Sequence, residues 1–172
     1  NSNVLKLAQK QLTTEGEHSL FIVGELGRQY FKRRGITIAD HFQYTAQNPT
    51  MHRARLIAER LLHLYNAGEI NEIDIIFTRM INHLASDAER VQLLPLKRED
   101  FKSTEAELSL PREELTLYPN VEEVIEGIVP NYVQGFIYGA LVESYSAEQN
   151  ARMMAMESAT KNAGEMLKDL SI

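Results

Sequence analysis

The rhythm of apolar and polar positions changes several times along the chain. Residues 3–12 (NVLKLAQKQL) put Val4, Leu5, Ala8 and Leu12 on one face, which predicts a short amphipathic helix ending near Gly16. HSLFIVG is a compact apolar run bounded by polar residues and Gly24, the pattern of a buried strand over residues 18–23. The turn Gly24-Glu25-Leu26-Gly27 leads into RQYFKRR, a helix closed by Gly35. Residues 36–50 carry a weak pattern and read as a loop or short strand. The clearest short helix spans 50–67, where Ala54, Ile57, Ala58, Leu61, Leu62 and Tyr65 form one stripe and Gly68 supplies the stop.

IDIIFTRMINHL then turns β-branched and aromatic, predicting a strand over 73–81, and a polar connection, SDAE, separates it from VQLLPL. That connection suits an antiparallel hairpin and is too short for a parallel crossover, so the sheet is expected to be mixed. Lys97 to Pro111 reads as a loop, Leu115 to Tyr118 as a last short strand, and Asn120 with Glu123 as a capping pair for a short helix, VEEVIEGIV. Pro130 fits the first position of a second helix that runs to Leu170 and would be roughly 60 Å long at 1.5 Å per residue. The expected fold class is α/β, a Rossmann-like mixed sheet with flanking helices, divided into an α/β domain over 1–119 and a helical extension over 120–172.

Ala147, Ala151, Ala155, Ala159 and Ala163 recur every four residues along the long helix, with Met153, Met154, Met156 and Met166 beside them. A row of small residues lets another backbone approach closely, so this is a helix-packing seam. An ordinary bundle core would show the same pattern, but the length of the helix favours a coiled coil whose other strand is not apparent in this sequence. An uncovered seam of this kind would also promote self-association.

Composition narrows the function. The chain has 172 residues, 44% of them hydrophobic, which suits one globular domain plus an extension. No apolar run approaches the length of a membrane span, and the first residues lack the apolar core of a signal peptide. The missing initiator Met suggests a processed chain or an excised domain. A net charge of −6 argues against nucleic acid as the main partner. Basic residues nevertheless gather at Arg28, Lys32, Arg33 and Arg34, a possible electrostatic face toward an acidic partner.

Candidate chemistry is sparse. With no cysteine there is no disulfide framework and no thiolate metal site. There is no G-x-S-x-G elbow, and His18, His41, His52, His63 and His83 fall in no metal-ligand spacing. The turn Gly24 to Gly27 could cradle a phosphate on a helix N-terminus, but its spacing is G-x-x-G and Glu25 would repel an anion. The residues therefore point to a non-catalytic chain with no cofactor and no metal. The alternatives are a nucleotide- or phosphate-binding α/β enzyme domain using that turn, or a helical adaptor with an α/β head.

The run ESYSAEQNARMMAMESATKNAGEMLKDLSI, from Glu143 to Ile172, resembles the C-terminal helix of the gamma subunit of F-type ATP synthase, with its pattern E-S-x-x-S-E-x-x-A-R-M-x-A-M-x-x-A-T-x-N-A. GRQYFKRRG is similar to that family's G-x-x-x-F-x-R-R-G, and LYNAGEI and LLPL support the match. The resemblance implies a central-stalk rotor subunit that couples proton or sodium ion flow to conformational change at catalytic sites on other subunits. It implies alpha and beta subunits of the catalytic ring, an epsilon subunit and a membrane rotor ring as partners, without direct membrane insertion, at the cytoplasmic face of a bacterial plasma membrane. Ala151, Arg152, Met153, Ala155, Met156, Ala159, Thr160, Asn162 and Ala163 would then be the packing face of the coiled coil. The family's N-terminal helix, first strand and G-L-C-G-G turn have no counterpart in this sequence, nor does the last part of its C-terminal helix. The turn Gly24 to Gly27 departs from the family's more basic one.

Overall fold

The computed structural model describes residues 2–14, 16–43, 48–82, 85–96 and 121–170, with the side chains of 121–126 excepted. The elements are α1 (Ser2–Leu12), β1 (Phe21–Val23), α2 (Glu25–Arg33), β2 (Asp40–Phe42), α3 (Met51–Asn66), β3 (Ile73–Asn82), β4 (Ala85–Leu94) and α4 (Val121–Leu170). They form two compact units: Asn1–Asn48 with Phe77–Glu89 and Ala140–Ile172, and Pro49–Ile76 with Arg90–Gly139.

In the first unit β1, α2 and β2 make a parallel β-α-β crossover, in the register Phe21↔Asp40, Ile22↔His41, Val23↔Phe42. The ladder is extended by Ala39 N–H to the Leu20 carbonyl at 2.8 Å and Gly24 N–H to the Phe42 carbonyl at 3.1 Å. The helix lies close on the strand because Gly27 has no side chain: a Cβ there would sit 3.0 Å from Ile22 Cγ2 and 3.8 Å from Leu5 Cδ2. Ile22 and Phe31 fill the space beneath. In the second unit α3 starts at Thr50, whose hydroxyl accepts the Arg53 N–H at 3.2 Å, and Gly68 ends the segment at φ 75°. Its face Ala54, Ile57, Ala58, Leu61 and Leu64 is buried, as are Ile73, Leu93, Val133 and Ile137. Leu62 and Tyr65 of the expected stripe are only half-buried, and Leu64 takes the core position.

The sheet is where expectation fails. Among the described residues there is no single Rossmann-like mixed sheet but two separate two-stranded ones, β1-β2 and β3-β4, so the architecture is mixed α/β with small sheets and a long C-terminal helix. SDAE is not a connection; Ser86 to Glu89 lie inside β4, and positions 83–84 alone separate the strands, which restricts them to antiparallel pairing. Polar residues suit that end of the hairpin because Ile81, Asn82, Ala85, Ser86 and Asp87 are all exposed. β1 is also shorter than the apolar run, and α2 begins at Glu25, taking Gly27 into its first turn.

The expected short helix and long helix are one 50-residue helix with Pro130 inside it. An interior proline removes one backbone bond and crowds the preceding turn, at a cost of about 3 kcal/mol. Burial of Val133, Ile137, Ala140 and Leu141 just beyond it offsets that cost, so the helix continues where local preference would have broken it. The readings for Lys97 to Pro111, Leu115 to Tyr118, Asn120 and Glu123 lie outside the described side chains.

Candidate functional site

The surface that stands out is the last third of α4. Ala147 is its final buried residue, at 6% exposure, and from Ala151 to Leu170 every side chain is exposed. Ala151, Arg152, Met153, Ala155, Met156, Ala159, Thr160, Asn162 and Ala163 are therefore brought onto one helix and covered by nothing else described. Met153 and Met156 are 57% and 58% exposed. The helix supports itself locally: Arg152 donates to Glu148 Oε1 at 3.0 Å, and Thr160 Oγ1 donates to the Met156 carbonyl at 2.9 Å. A helical surface of alanines and methionines has little to hydrogen-bond and much to pack.

Just before this surface α4 is fastened within its unit by contacts that no sequence pattern signals. Ser144 Oγ accepts the Thr78 N–H at 3.2 Å, and Arg79 Nε lies 2.7 Å from Glu89 and 3.9 Å from Glu143. These pairs join residues more than sixty positions apart, except Arg79 and Glu89 across the hairpin.

The basic cluster on α2 divides. Arg28 is held by Glu25 through two hydrogen bonds, one of 2.8 Å, and Arg34 stacks its guanidinium 3.6 Å from the centre of the Tyr30 ring. Tyr30 in turn donates to Gln9 of α1 at 2.9 Å. Lys32 and Arg33 are exposed, and among the described residues no hydrogen bond or ion pair engages either side chain. Of the four basic residues in the sequence pattern, Arg28 and Arg34 thus serve α2 itself and Lys32 and Arg33 do not.

Glu25 changes the reading of the glycine turn. Hydrogen bonds from Arg28, then Gln29, lower its carboxyl from 4.5 to about 2, and the same pairing raises Arg28. A fixed carboxylate therefore occupies the helix N-terminus where a phosphate would dock. His41 lies 3.9 Å from Glu25, His18 is 3.2 Å from the Thr14 carbonyl, and His52 and His63 are exposed on α3. Among the described residues no three metal-type ligands converge. A groove of about 360 Å³ beside α1 is lined by Gln9, Thr13, His18 and Thr37 among others; among its described lining residues there is no Lys or Arg for phosphate, and Thr13 and His18 bond to backbone carbonyls rather than to each other.

Comparison with known proteins gives this arrangement a context. A family model described as ATP synthase matches residues 1–172. The ATP synthase gamma chain of Ruminiclostridium cellulolyticum is 41% identical over 177 residues, covering 100% of this chain and 59% of the relative. That of Caldanaerobacter subterraneus subsp. tengcongensis is 40% identical, covering 100% and 60%. A sodium ion specific gamma chain from Acetobacterium woodii is 31% identical, covering 100% and 61%. The chain thus spans about 60% of the length of these relatives. In fold it is similar to the central stalk of Tetrahymena thermophila mitochondrial ATP synthase, with a TM-score of 0.66 at 23% identity over 92% of this chain and 68% of that one. It is similar also to the rotor of Euglena gracilis mitochondrial ATP synthase, with a TM-score of 0.61 at 16% identity over 96% and 63%. No helix among the described residues is long and apolar enough to cross a membrane. Matched by the family model from its first residue to its last, and by gamma chains at up to 41% identity, this chain belongs to the ATP synthase gamma family.

Proposed function

We propose that this chain is part of the central stalk of a rotary ATP synthase, a non-catalytic shaft that couples ion flow through a membrane sector to conformational change at catalytic sites carried by other subunits. The observation that carries this reading is the uncovered helix of residues 151–170, whose alanines and methionines ask for a second helix. The helical extension over 120–172 would enter an antiparallel coiled coil, with Ala151, Met153, Ala155, Met156, Ala159 and Ala163 at the seam and Arg152, Thr160 and Asn162 at its margin. The α/β domain over 1–119 would face the remaining partners. Those partners are the alpha and beta subunits of the catalytic ring, an epsilon subunit and a membrane rotor ring, and Lys32 and Arg33 offer an electrostatic contact to an acidic surface among them. The complex would sit peripherally at the cytoplasmic face of a bacterial plasma membrane. Either a proton or a sodium ion would serve as coupling ion, the second because one relative is named for it.

A shaft acts by making different contacts at each angle, so that each catalytic site is biased toward a different member of its existing set of states. It needs no nucleotide chemistry of its own. The test is reconstitution of the full-length gamma chain that contains this segment with alpha and beta subunits, alongside calorimetric titration of this chain with ATP and ADP. Assembly into the ring, with no saturable nucleotide binding by the chain itself, is the expected result. Saturable binding together with ATP turnover by the isolated chain, lost on changing Glu25, would instead favour the phosphate-binding enzyme.

A further inference from the structure

We propose that Arg79 is a latch with two partners, Glu89 of the hairpin and Glu143 of α4, and that its pairing with Glu143 fixes the root from which the uncovered helix extends. The three residues lie in one unit, and Arg79 Nε is 2.7 Å from Glu89 Oε2 but 3.9 Å from Glu143 Oε2. The first is a close ion pair and the second stands at the outer limit of one. Glu143 Oε2 is shut off from solvent and accepts no hydrogen bond among the described residues. A buried carboxylate oxygen without a donor is rare, and the cation paired with it among the described residues lies closer to another acid.

Both acids approach the guanidinium on its Nε side, so in this arrangement a single Nε–H faces two carboxylates. Rotation of the Arg79 side chain toward Glu143 would satisfy the orphan oxygen and release Glu89, whose own side chain is 33% exposed and can turn to water. As whole side chains Arg79 is 48% exposed and Glu143 43%, so solvent reaches the guanidinium and leaves it free to turn even though the facing Glu143 oxygen is buried. The backbone is held meanwhile. Ser144 Oγ accepts the N–H of Thr78, the residue before Arg79, so Glu143 stays opposite the latch whichever partner is taken. Ala147, one turn further, is the last buried residue of α4. Closing the latch therefore stiffens the helix where its support ends. Its use in carrying load rests on the central-stalk reading, but the latch itself does not.

Hydrogen exchange on the whole chain, read at amides 144–150, separates the latch from simple stabilisation because the two acids compete. Glu89→Gln is expected to slow exchange there by about two- to fivefold, since Arg79 is freed for Glu143, whereas Glu143→Gln and Arg79→Met speed it by a similar factor. Combining the last two adds nothing further, and Arg79→Lys retains part of the protection. If Glu89→Gln speeds exchange as Glu143→Gln does, or if neither changes it, the latch is wrong. The readout needs no partner subunit, so a chain that fails to enter a catalytic ring would leave the result standing.

Discussion

Residues 133–147 and residues 151–170 belong to one helix and meet opposite surroundings. In the first stretch Val133, Ile137, Ala140, Leu141 and Ala147 are buried, while Gly135 and Gly139 on the other side are exposed. In the second stretch all twenty positions are exposed, although Ala, Met, Leu, Glu and Lys there favour helix far more than the glycines do. The part with poorer intrinsic helix formers is the part that is packed. A free helix of some twenty residues is marginal in water because nucleation is costly; here the packed turns supply the nucleus and the second stretch only propagates it. Covering and helicity are thus separate properties of α4, and the second stretch has one without the other.

The largest effect that would sharpen this contrast comes from truncation at each end. Val133→Ala and Leu93→Ala, both at positions of 0% exposure, are expected to lower unfolding free energy by about 2–4 kcal/mol in denaturant titrations, whereas Met156→Ala stays within about 0.5 kcal/mol. Equal losses at Met156 and Val133 would mean that the second stretch is covered after all.

Uncovered apolar surface should find its own cover. Burial contributes about 25 cal/mol per Å², so pairing two such helices over a few hundred Å² gives several kcal/mol, and the chain is expected to self-associate at micromolar concentration. Met153→Glu with Met156→Glu should return it to monomer in sedimentation velocity. A wild-type chain that sediments as a monomer at high micromolar concentration breaks the comparison.

Glycines give a smaller and signed test. A Cβ at Gly135 or Gly139 would meet nothing within 4 Å, so Gly135→Ala and Gly139→Ala should each stabilise by about 0.5–1 kcal/mol. Gly27→Ala should destabilise instead, because Ile22 already stands 3.0 Å from the new methyl. Thermal melts of the three variants read the two signs directly.

The smallest effect is electrostatic. Glu25 is lowered from 4.5 to about 2 by Arg28 and Gln29, so its contribution to stability is present above about 4.5 and is lost as pH falls through about 2. Melting temperature between pH 5 and pH 2 should fall slightly less in Glu25→Gln than in the wild type. Glu25 is exposed, so the difference is expected to be small and to shrink further in salt.

Much of this molecule was legible before folding. The stripes of α1 and α3, the apolar core of β1, the β-branched start of β3 and the long terminal helix all declare themselves through periodicity, which depends on neighbours a few positions away. The alanine and methionine row is also visible in the sequence, and on the helix its members from Ala151 to Ala163 are exposed. Misreadings fell where a distant contact overruled a local signal. Pro130 read as a boundary because local chemistry disfavours it inside a helix, and only the burial of Val133 and Ile137 decides otherwise. SDAE read as a connection because polar residues usually make one, but an exposed hairpin end accepts them as strand.

What the sequence by itself determined is therefore which segments are helical, which faces are apolar, and where small residues recur along the last helix. Only the tertiary structure decided which of those faces are already covered. It also decided that the strands form two small sheets, that Arg28 and Arg34 are engaged while Lys32 and Arg33 are left exposed, and that Arg79 stands between two acids. The reason is range: periodicity is written within a turn or two, whereas the partners of Arg79, Ser144 and Gly27 are set by contacts between segments that no local pattern can pair.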